Sequence, residues 1–188
     1  MTGFYPESPD SKQPGQHSPQ PGKHLGRGMY FLAWFSVLGL LTLFFGRWEE
    51  QQINPNTDPL SRVDSQVREV VLEGNQRHHY VANGRINGKT VTFLLDTGAT
   101  DVVVPEPLAQ KLGLRRGNRS YAHTANGTVI VYSTRIDRLD LGVIHLRDVR
   151  ASINPAMEGQ AILLGMSALG QIEFTQRGNQ LTLRQVAP

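Results

Sequence analysis

The stretch that decides the fold lies at 93–100 and reads Phe93-Leu94-Leu95-Asp96-Thr97-Gly98-Ala99-Thr100. An apolar run ends in a carboxylate, and a turn follows at once. A strand of this kind would deliver Asp96 into a partly dry site. Gly98 lets the backbone turn sharply and lets a ligand approach closely, while the Thr97 hydroxyl can bond backbone groups and hold the loop. The stretch therefore predicts a carboxylate at the end of a buried strand.

Three later segments extend this plan. Residues 102–105 form an apolar run that leads into a predicted short helix, and residues 161–165 read Ala-Ile-Leu-Leu-Gly, which repeats the pattern of an apolar strand that ends at a glycine. Between them, residues 121–132 are polar and carry glycine near their centre. That composition suits a hairpin with a mobile tip.

The chain from about residue 70 onward is predicted to be all-β with one short helix. Asn87-Gly88 is the preferred pair for a tight primed hairpin turn, and the helix predicted over 105–112 would end with Gly113 as its C′ residue. Strands are predicted over 69–73, 79–86, 90–95, 128–136, 138–141, 143–153, 161–164, 172–174 and 181–183.

In their order, these motifs resemble those of the retropepsin-type aspartic proteases, the single-lobe relatives of pepsin, and more narrowly the membrane-anchored retropepsin-like proteases of bacteria. The resemblance covers roughly residues 72–188. It implies an all-β, single-lobe acid-protease barrel, preceded by a transmembrane helix. The roles that it implies are Asp96 as the catalytic aspartate, Thr97, Gly98 and Ala99 as the active-site loop, Leu163, Leu164 and Gly165 as the supporting strand, and Ala125, Asn126, Gly127 and Thr128 as the flap.

The resemblance also implies two aspartates that share one proton, yet the chain contains one Asp-Thr-Gly. Residues 72–188 are too few for two lobes, so the second carboxylate must come from a second chain on a two-fold axis. We therefore expect a homodimeric aspartic endopeptidase acting on peptide or protein substrates. The alternative is a non-catalytic, membrane-tethered peptide-binding or interaction module of the same fold. In retroviral relatives the chain ends pair across the dimer, and residues 180–184 are the candidate segment here.

One feature common in the retroviral enzymes is missing at both of its positions. Those enzymes often carry Asp directly after the loop Ala and Arg directly after the second Gly, where this chain has Thr100 and Met166. The double loss looks compensated, because losing one partner alone would leave an unpaired charge. Asp101 remains the candidate acidic residue to face the cleft.

The N-terminal part of the chain predicts a membrane anchor. Residues 1–28 are polar and proline-rich, as in a disordered tail. Residues 29–46 carry no charge and predict a transmembrane helix, and 47–71 are predicted to be a linker. A buried soluble helix should show a polar stripe, and a cleaved signal peptide should end in a small-x-small site. The segment shows neither, so an uncleaved anchor is favoured over both alternatives.

Flanking charges predict the orientation of this helix. Lys23 and Arg27 precede it, whereas Arg47 follows it beside two glutamates. The positive-inside rule then places the N-terminus in the cytoplasm and the C-terminal domain in the periplasm or outside, with the bacterial inner membrane as the expected location.

The composition excludes several kinds of site. The chain has no cysteine, which excludes a disulfide framework, a thiol nucleophile and Cys-ligated metal. The net charge of +3 comes from scattered Lys and Arg, so we expect no nucleic-acid partner. His78 and His79 are adjacent in a predicted strand, where they would point to opposite faces and make a poor metal pair. We expect no metal and no cofactor.

Overall fold

The computed structural model of the chain describes residues 23–64, 66–124 and 127–186. In these residues the helices are α1 (Lys23–Ile53), α2 (Glu106–Leu112) and α3 (Met166–Leu169). The strands are β1 (Leu60–Asp64), β2 (Val67–Glu73), β3 (Val81–Ile86), β4 (Lys89–Leu95), β5 (Val102–Pro105), β6 (Arg119–Thr124), β7 (Gly127–Leu141), β8 (Ile144–Asn154), β9 (Ala161–Leu164), β10 (Glu173–Arg177) and β11 (Gln180–Val186). The strands and the two short helices are called the β domain below. The chain divides after Phe44 into two compact units.

Helix α1 is apolar over Gly28–Gly46, a span of 19 residues. At 1.5 Å per residue this span is about 28 Å long, against about 30 Å for the hydrocarbon core of a bilayer. Its side chains are exposed on every face, and no polar stripe interrupts them. Within the described residues, this one helix is long and apolar enough to cross a membrane, and it lies near the N-terminus, where a signal sequence would also lie.

A seven-stranded sheet closes into a barrel. Its strand order is β3-β4-β9-β5-β8-β7-β6, and β3 also pairs with β7 through Arg85↔Asp140 and Ile86↔Leu139. Six strands therefore form a closed circuit, while β6 lies outside it as one arm of the β6–β7 hairpin. This confirms the predicted all-β, single-lobe barrel. The four-residue helix α3 was not predicted.

The predicted turn residues occupy the turns. Asn87 (φ 49°) and Gly88 (φ 81°) both have positive φ between β3 and β4, as a type I′ hairpin turn requires. Gly113 ends α2 in the left-handed conformation (φ 75°), and its N–H donates to the Gln110 carbonyl at 3.2 Å. These local preferences determine where the strands reverse direction.

The core lies inside the barrel and is lined by alternate side chains of its strands. Burial of each large apolar side chain contributes about 1.5–3 kcal/mol. The large side chains with almost no exposed surface include Phe93, Ile136, Leu139, Ile153, Ile162 and Leu164. Three of these side chains belong to β4 and β9. Core packing therefore fixes these two strands, and the candidate site lies at their ends.

The second sheet has the order β1-β2-β11-β10 and is antiparallel throughout. Strand β11 lies between β2 and β10, because the turn at Gly178 and Asn179 folds β10 back along it. Both edges of β11 are thus paired within one chain. This corrects the suggestion that residues 180–184 pair across a dimer, since their backbone groups already have partners.

The segment 47–71, predicted to be a linker, contains the end of α1, all of β1 and most of β2. Asn56, only 4% exposed, explains much of this order. Its Nδ2 donates to the carbonyls of Glu73 (2.9 Å) and Val81 (2.7 Å), and its Oδ1 accepts from the Glu73 N–H (2.7 Å). A polar residue in this segment can therefore be buried, because Asn56 bonds to buried backbone groups instead of to water.

Two smaller predictions differ from the structure. The strands predicted over 128–136 and 138–141 are one continuous strand, β7, which Asp137 does not interrupt. His78 (φ 60°) and His79 lie in the turn before β3 rather than in a strand, and both are exposed. A local histidine pair carries no pattern that distinguishes a turn from a strand end.

Candidate active site

Asp96 stands directly after β4, at the end of the paired strands β4 and β9. These strands run parallel, with Leu95 opposite Leu164. The Asp96 N–H donates to the Leu164 carbonyl at 3.2 Å, and the Leu95 N–H donates to the Tyr80 carbonyl at 3.0 Å. Asp96 is half-buried, while Leu164 beneath it is buried. The strand pair therefore presents one carboxylate from a rigid base at the domain surface.

The loop after β4 curls back on the carboxylate. Asp96 Oδ1 accepts a hydrogen bond from the Gly98 N–H at 2.8 Å, and the Asp96 carbonyl accepts one from the Ala99 N–H at 3.2 Å. A donor to one carboxylate oxygen restricts the side chain to one orientation. Thr97 is exposed at the turn of this loop.

Gly165 and the start of α3 clamp the far side of the loop. The N–H groups of Met166 and Ser167 donate to the carbonyls of Ala99 (2.8 Å) and Thr100 (2.9 Å). Gly165 is buried against the backbone of this loop. A Cβ placed at Gly165 would overlap the carbonyl oxygen of Asp101 and lie 2.6 Å from the carbonyl oxygen of Ala99. The position requires glycine because the loop passes directly over it.

The Ser167 side chain adds a second tie between three elements. Its Oγ accepts from the Val102 N–H at 3.0 Å and donates to the Arg150 carbonyl at 2.7 Å. It thus joins α3, β5 and β8 below the loop. Since Val102 has no exposed surface, its N–H has no access to water if this hydroxyl is removed.

Asp101 pairs with Arg150 on β8. The Arg150 Nε donates to Asp101 Oδ1 at 2.6 Å, and the Asp101 side chain is 29% exposed. The hydrogen bond that Arg150 donates to this carboxylate, and then the negative charge of the carboxylate, raise the pKa of Arg150 above its usual value. Asp101, the acidic residue expected to face the cleft, is therefore engaged in an ion pair at the edge of the loop.

The β6–β7 hairpin carries the predicted flap. Ala125 and Asn126 lie outside the described residues. On either side of them, Thr124 Oγ1 donates to the Gly127 carbonyl at 2.8 Å, and His123 Nδ1 lies 3.0 Å from Thr128 Oγ1. Gly127 has φ 113°, a conformation that side chains rarely adopt. The hairpin that the sequence predicted is present, and side-chain hydrogen bonds join its two strands next to the tip.

The structure brings together two of the three predicted groups, the loop Asp96–Ala99 and the strand Leu163–Gly165, through direct backbone hydrogen bonds.

In the described part of the chain, no group of three His, Asp or Glu side chains could hold a metal ion. An open cleft of about 730 Å³ lies elsewhere, and Asp96 is not part of its lining. Three of its arginines pair with carboxylates: Arg116 with Glu106, Arg135 with Asp148 and Arg150 with Asp101.

Comparison with known proteins agrees with this arrangement. A family model described as "gag-polyprotein putative aspartyl protease" matches residues 82–171, from the start of β3 to just beyond α3. The β domain is therefore similar to the retropepsin-like aspartic proteases. The matched residues contain the Asp96 loop, the β6–β7 hairpin and β9 of this retropepsin-like domain.

A solved structure shares the fold of the β domain. A retropepsin-like aspartic protease from Rickettsia conorii superposes with a TM-score of 0.56 at 23% identity, covering 69% of this chain and 100% of that chain. The EIAV protease in complex with the inhibitor HBY-793 gives a TM-score of 0.42 at 22% identity, covering 51% of this chain and 89% of that one.

Two sequence relatives are uncharacterized proteins. One, from a Sinorhizobium species, is named for the 5′ region of cobV and is 27% identical over 179 residues, covering 88% of this chain and 77% of its own length. The other, RP867 of Rickettsia prowazekii (strain Madrid E), is 31% identical over 72 residues, covering 37% of this chain and 31% of its own. The similarity to the Sinorhizobium protein covers more of the chain than residues 82–171, which the family model matches.

Sequence reasoning missed two residues that build the loop, Ser167 and Arg150. Ser167 lacks the sequence motif that surrounds a nucleophilic serine. A serine two residues after a strand-ending glycine, at the start of a helix, was the available signal for a backbone tie. Arg150 gave no signal, because its pairing with Asp101 depends on β5 and β8 lying side by side.

Proposed function

We propose that the chain is a homodimeric aspartic endopeptidase in which Asp96 of two copies forms the catalytic pair. The observation that carries the proposal is the single carboxylate at the end of β4, oriented by the Gly98 N–H and supported from beneath by β9. One such carboxylate supplies half of the acid–base chemistry, and the family works with two. A second copy brings the other half.

In this proposal the two carboxylates share one proton. The charged one takes a proton from a water molecule, whose oxygen attacks the carbonyl carbon of the peptide. The protonated one donates its proton to the carbonyl oxygen, which gives a tetrahedral diol. When the C–N bond breaks, the diol returns a proton to the amine through the same pair. The bond from Gly98 keeps Asp96 in place through this cycle.

The test is peptide cleavage by the full-length chain in detergent micelles, with Asp96→Asn as the variant. An amide cannot shuttle the shared proton, so we expect turnover to fall by at least about a thousandfold while folding and dimerisation persist. Asp137→Asn, at an exposed position on β7, is the matched control and should retain activity. Cleavage by Asp96→Asn at the wild-type rate would refute the assignment.

A statine-type inhibitor separates catalysis from mere peptide binding. Its hydroxyl mimics the tetrahedral diol, so it should bind the wild-type protein far more tightly than Asp96→Asn. If both proteins bind peptides equally and neither cleaves them, the domain is a membrane-tethered binding module, the alternative function.

We also propose that Gly28–Gly46 anchors the enzyme in the bacterial inner membrane with the β domain in the periplasm or outside. The helix length and the Lys23 and Arg27 flank support this orientation. Protease added to intact spheroplasts should digest the β domain. Protection of the domain would indicate the opposite orientation, with the β domain in the cytoplasm. A mature chain whose mass lacks α1 would instead identify the helix as a signal sequence.

A further inference from the structure

A pocket with three arginines in its wall is formed by residues of both sheets of the β domain. It is open to solvent and has a volume of about 520 Å³. In the described part of the chain, no Asp or Glu lines it. This arginine pocket is lined by Arg68 on β2, Arg138 on β7, His145 and Arg147 on β8, Gln185 on β11, and Gln171 just after α3.

Two of the arginines lie directly opposite each other on paired strands. Arg138 of β7 is the partner of Arg147 of β8, and Asp140 opposite His145 is the next pair on the same face. Like charges at directly opposed positions destabilise a sheet. An anion bound between the two guanidinium groups would remove this repulsion.

The carboxylate next to the pocket balances one arginine and leaves two without a counter-charge. The Arg138 Nε donates to both oxygens of Asp140, at 2.8 and 2.9 Å, and Asp140 Oδ1 also lies 2.7 Å from His145 Nδ1. Among the residues that the structure describes, neither Arg68 nor Arg147 has a salt-bridge partner. Three guanidinium groups thus face one carboxylate, an excess of two positive charges.

The two glutamines in the wall are held by hydrogen bonds within the domain. The Gln185 Nε2 donates to the His145 carbonyl at 2.7 Å, and its Oε1 accepts from the His145 N–H at 3.1 Å, which ties β11 to β8. The Gln171 Nε2 donates to the Ser167 carbonyl at 2.8 Å. A wall that is already ordered lowers the entropic cost of binding a ligand.

We propose that the arginine pocket binds a phosphate monoester, either as a free molecule or as the headgroup of a phospholipid. A phosphate monoester carries about −1.5 to −2 charge near pH 7, which balances the excess charge of the pocket, whereas a single carboxylate balances half of it. The planar guanidinium group also matches phosphate oxygens with two parallel N–H donors. The proposal is independent of the proposed function, because Asp96 does not line this pocket.

The larger cleft of about 730 Å³ is less suited to an anion, although it also contains arginines. Arg116, Arg135 and Arg150 each pair with a carboxylate there. Asp137 lines the cleft as well and adds a negative charge. The lack of counter-charge at Arg68 and Arg147 therefore distinguishes the arginine pocket from this cleft.

Thermal unfolding of the full-length chain in detergent tests the proposal, with glycerol 3-phosphate as the probe. A ligand that binds only the folded state raises Tm, so glycerol 3-phosphate should raise the Tm of the wild type and sodium chloride at equal ionic strength should not. Arg68→Gln and Arg147→Gln should each weaken binding by about tenfold or more, because each removes charged hydrogen bonds.

Arg62→Gln is the matched control, since it removes the same charge at an exposed position. Arg62 lies opposite Glu69, the residue after Arg68, and therefore on the other face of the sheet. Its response to glycerol 3-phosphate should equal that of the wild type. An equal response in Arg68→Gln and Arg147→Gln as well would overturn the proposal.

Unfolding without ligand separates lost binding from lost folding. Arg147→Gln removes the repulsion with Arg138, so without phosphate it should unfold at the wild-type temperature or above it. A variant that is as stable as the wild type but no longer responds to glycerol 3-phosphate has lost the site and kept the fold.

Native mass spectrometry from mixed micelles of phosphatidate and phosphatidylcholine identifies the source of the phosphate. If the wild type retains phosphatidate in preference to phosphatidylcholine and Arg147→Gln does not, the ligand is a lipid headgroup. If neither lipid is preferred but glycerol 3-phosphate raises Tm, the ligand is a free phosphate monoester. If neither probe binds, the arginine pocket is a solvated basic surface and the proposal is wrong.

Discussion

At the scale of single residues, the Asp96 loop packs so closely that a larger side chain at Gly165 would not fit. Gly165 lies against two carbonyl oxygens of the loop, and Ser167 satisfies a buried N–H on a neighbouring strand. Neither residue needs to touch substrate. Both determine where the carboxylate stands, and small errors of position are costly in catalysis.

Gly165→Ala should destabilise the β domain by about 3 kcal/mol, since the new Cβ has to displace the backbone of the loop. Calorimetric unfolding of the full chain in detergent measures this loss. Gly113→Ala is the comparison, because a Cβ there meets nothing within 4 Å and only the strain of φ 75° remains, about 1 kcal/mol. Equal losses at the two positions would mean that the loop is not tightly packed on Gly165.

Ser167→Ala should cost about 1–3 kcal/mol, because the Val102 N–H is left buried without an acceptor. The same calorimetry checks it, and Ser120→Ala, at an exposed position on β6, should be neutral. If Ser167→Ala unfolds at the wild-type temperature, the hydroxyl does not join α3 to β5 as the structure indicates.

At the scale of elements, the segment before the barrel is part of the β domain rather than a passive tether. Strand β1 pairs with β2, and Asn56 bonds to β2 and to the start of β3. The four-stranded sheet consequently consists of strands from both ends of the β domain. A cut or deletion within residues 54–73 should unfold this sheet, whereas a true linker would tolerate it.

Asn56→Ala should destabilise the β domain by roughly 2–4 kcal/mol, because two carbonyls and one N–H lose their partner in a buried site. Thr57→Ala, next to it but exposed, is the control and should change stability by less than about 0.5 kcal/mol. A neutral Asn56→Ala would indicate that water replaces the side chain and that the segment is loosely held.

At the scale of the whole molecule, activity should depend on concentration, because the proposed site needs two chains. In detergent, below the dissociation constant of the dimer, a tenfold dilution should lower specific activity by up to about tenfold. In reconstituted vesicles the loss should be smaller, since confinement to a plane raises the effective concentration. A constant specific activity at concentrations where sedimentation shows a monomer would count against a shared site.

The sequence alone determined the class of fold and the place of the candidate site. The similar runs 93–98 and 161–165 predicted two strands that end at glycine-containing turns. Asn87-Gly88 predicted the turn of a hairpin, and Gly113 predicted the end of a helix. These features were readable because each depends on neighbours in the chain. Side-chain alternation, positive φ and the length of an apolar helix are local properties.

Only the tertiary structure decided what depends on distant segments coming together. Asn56 looked like a linker residue until β2 and β3 met around it, and the Asp101–Arg150 pair exists because β5 and β8 are neighbours. The pairing of β11 within its own chain, which leaves β10 as the open edge, likewise follows from sheet order. A hydrogen-bonding side chain looks the same in sequence whether it bonds to water or to buried backbone, and only the packed chain determines which partner it has.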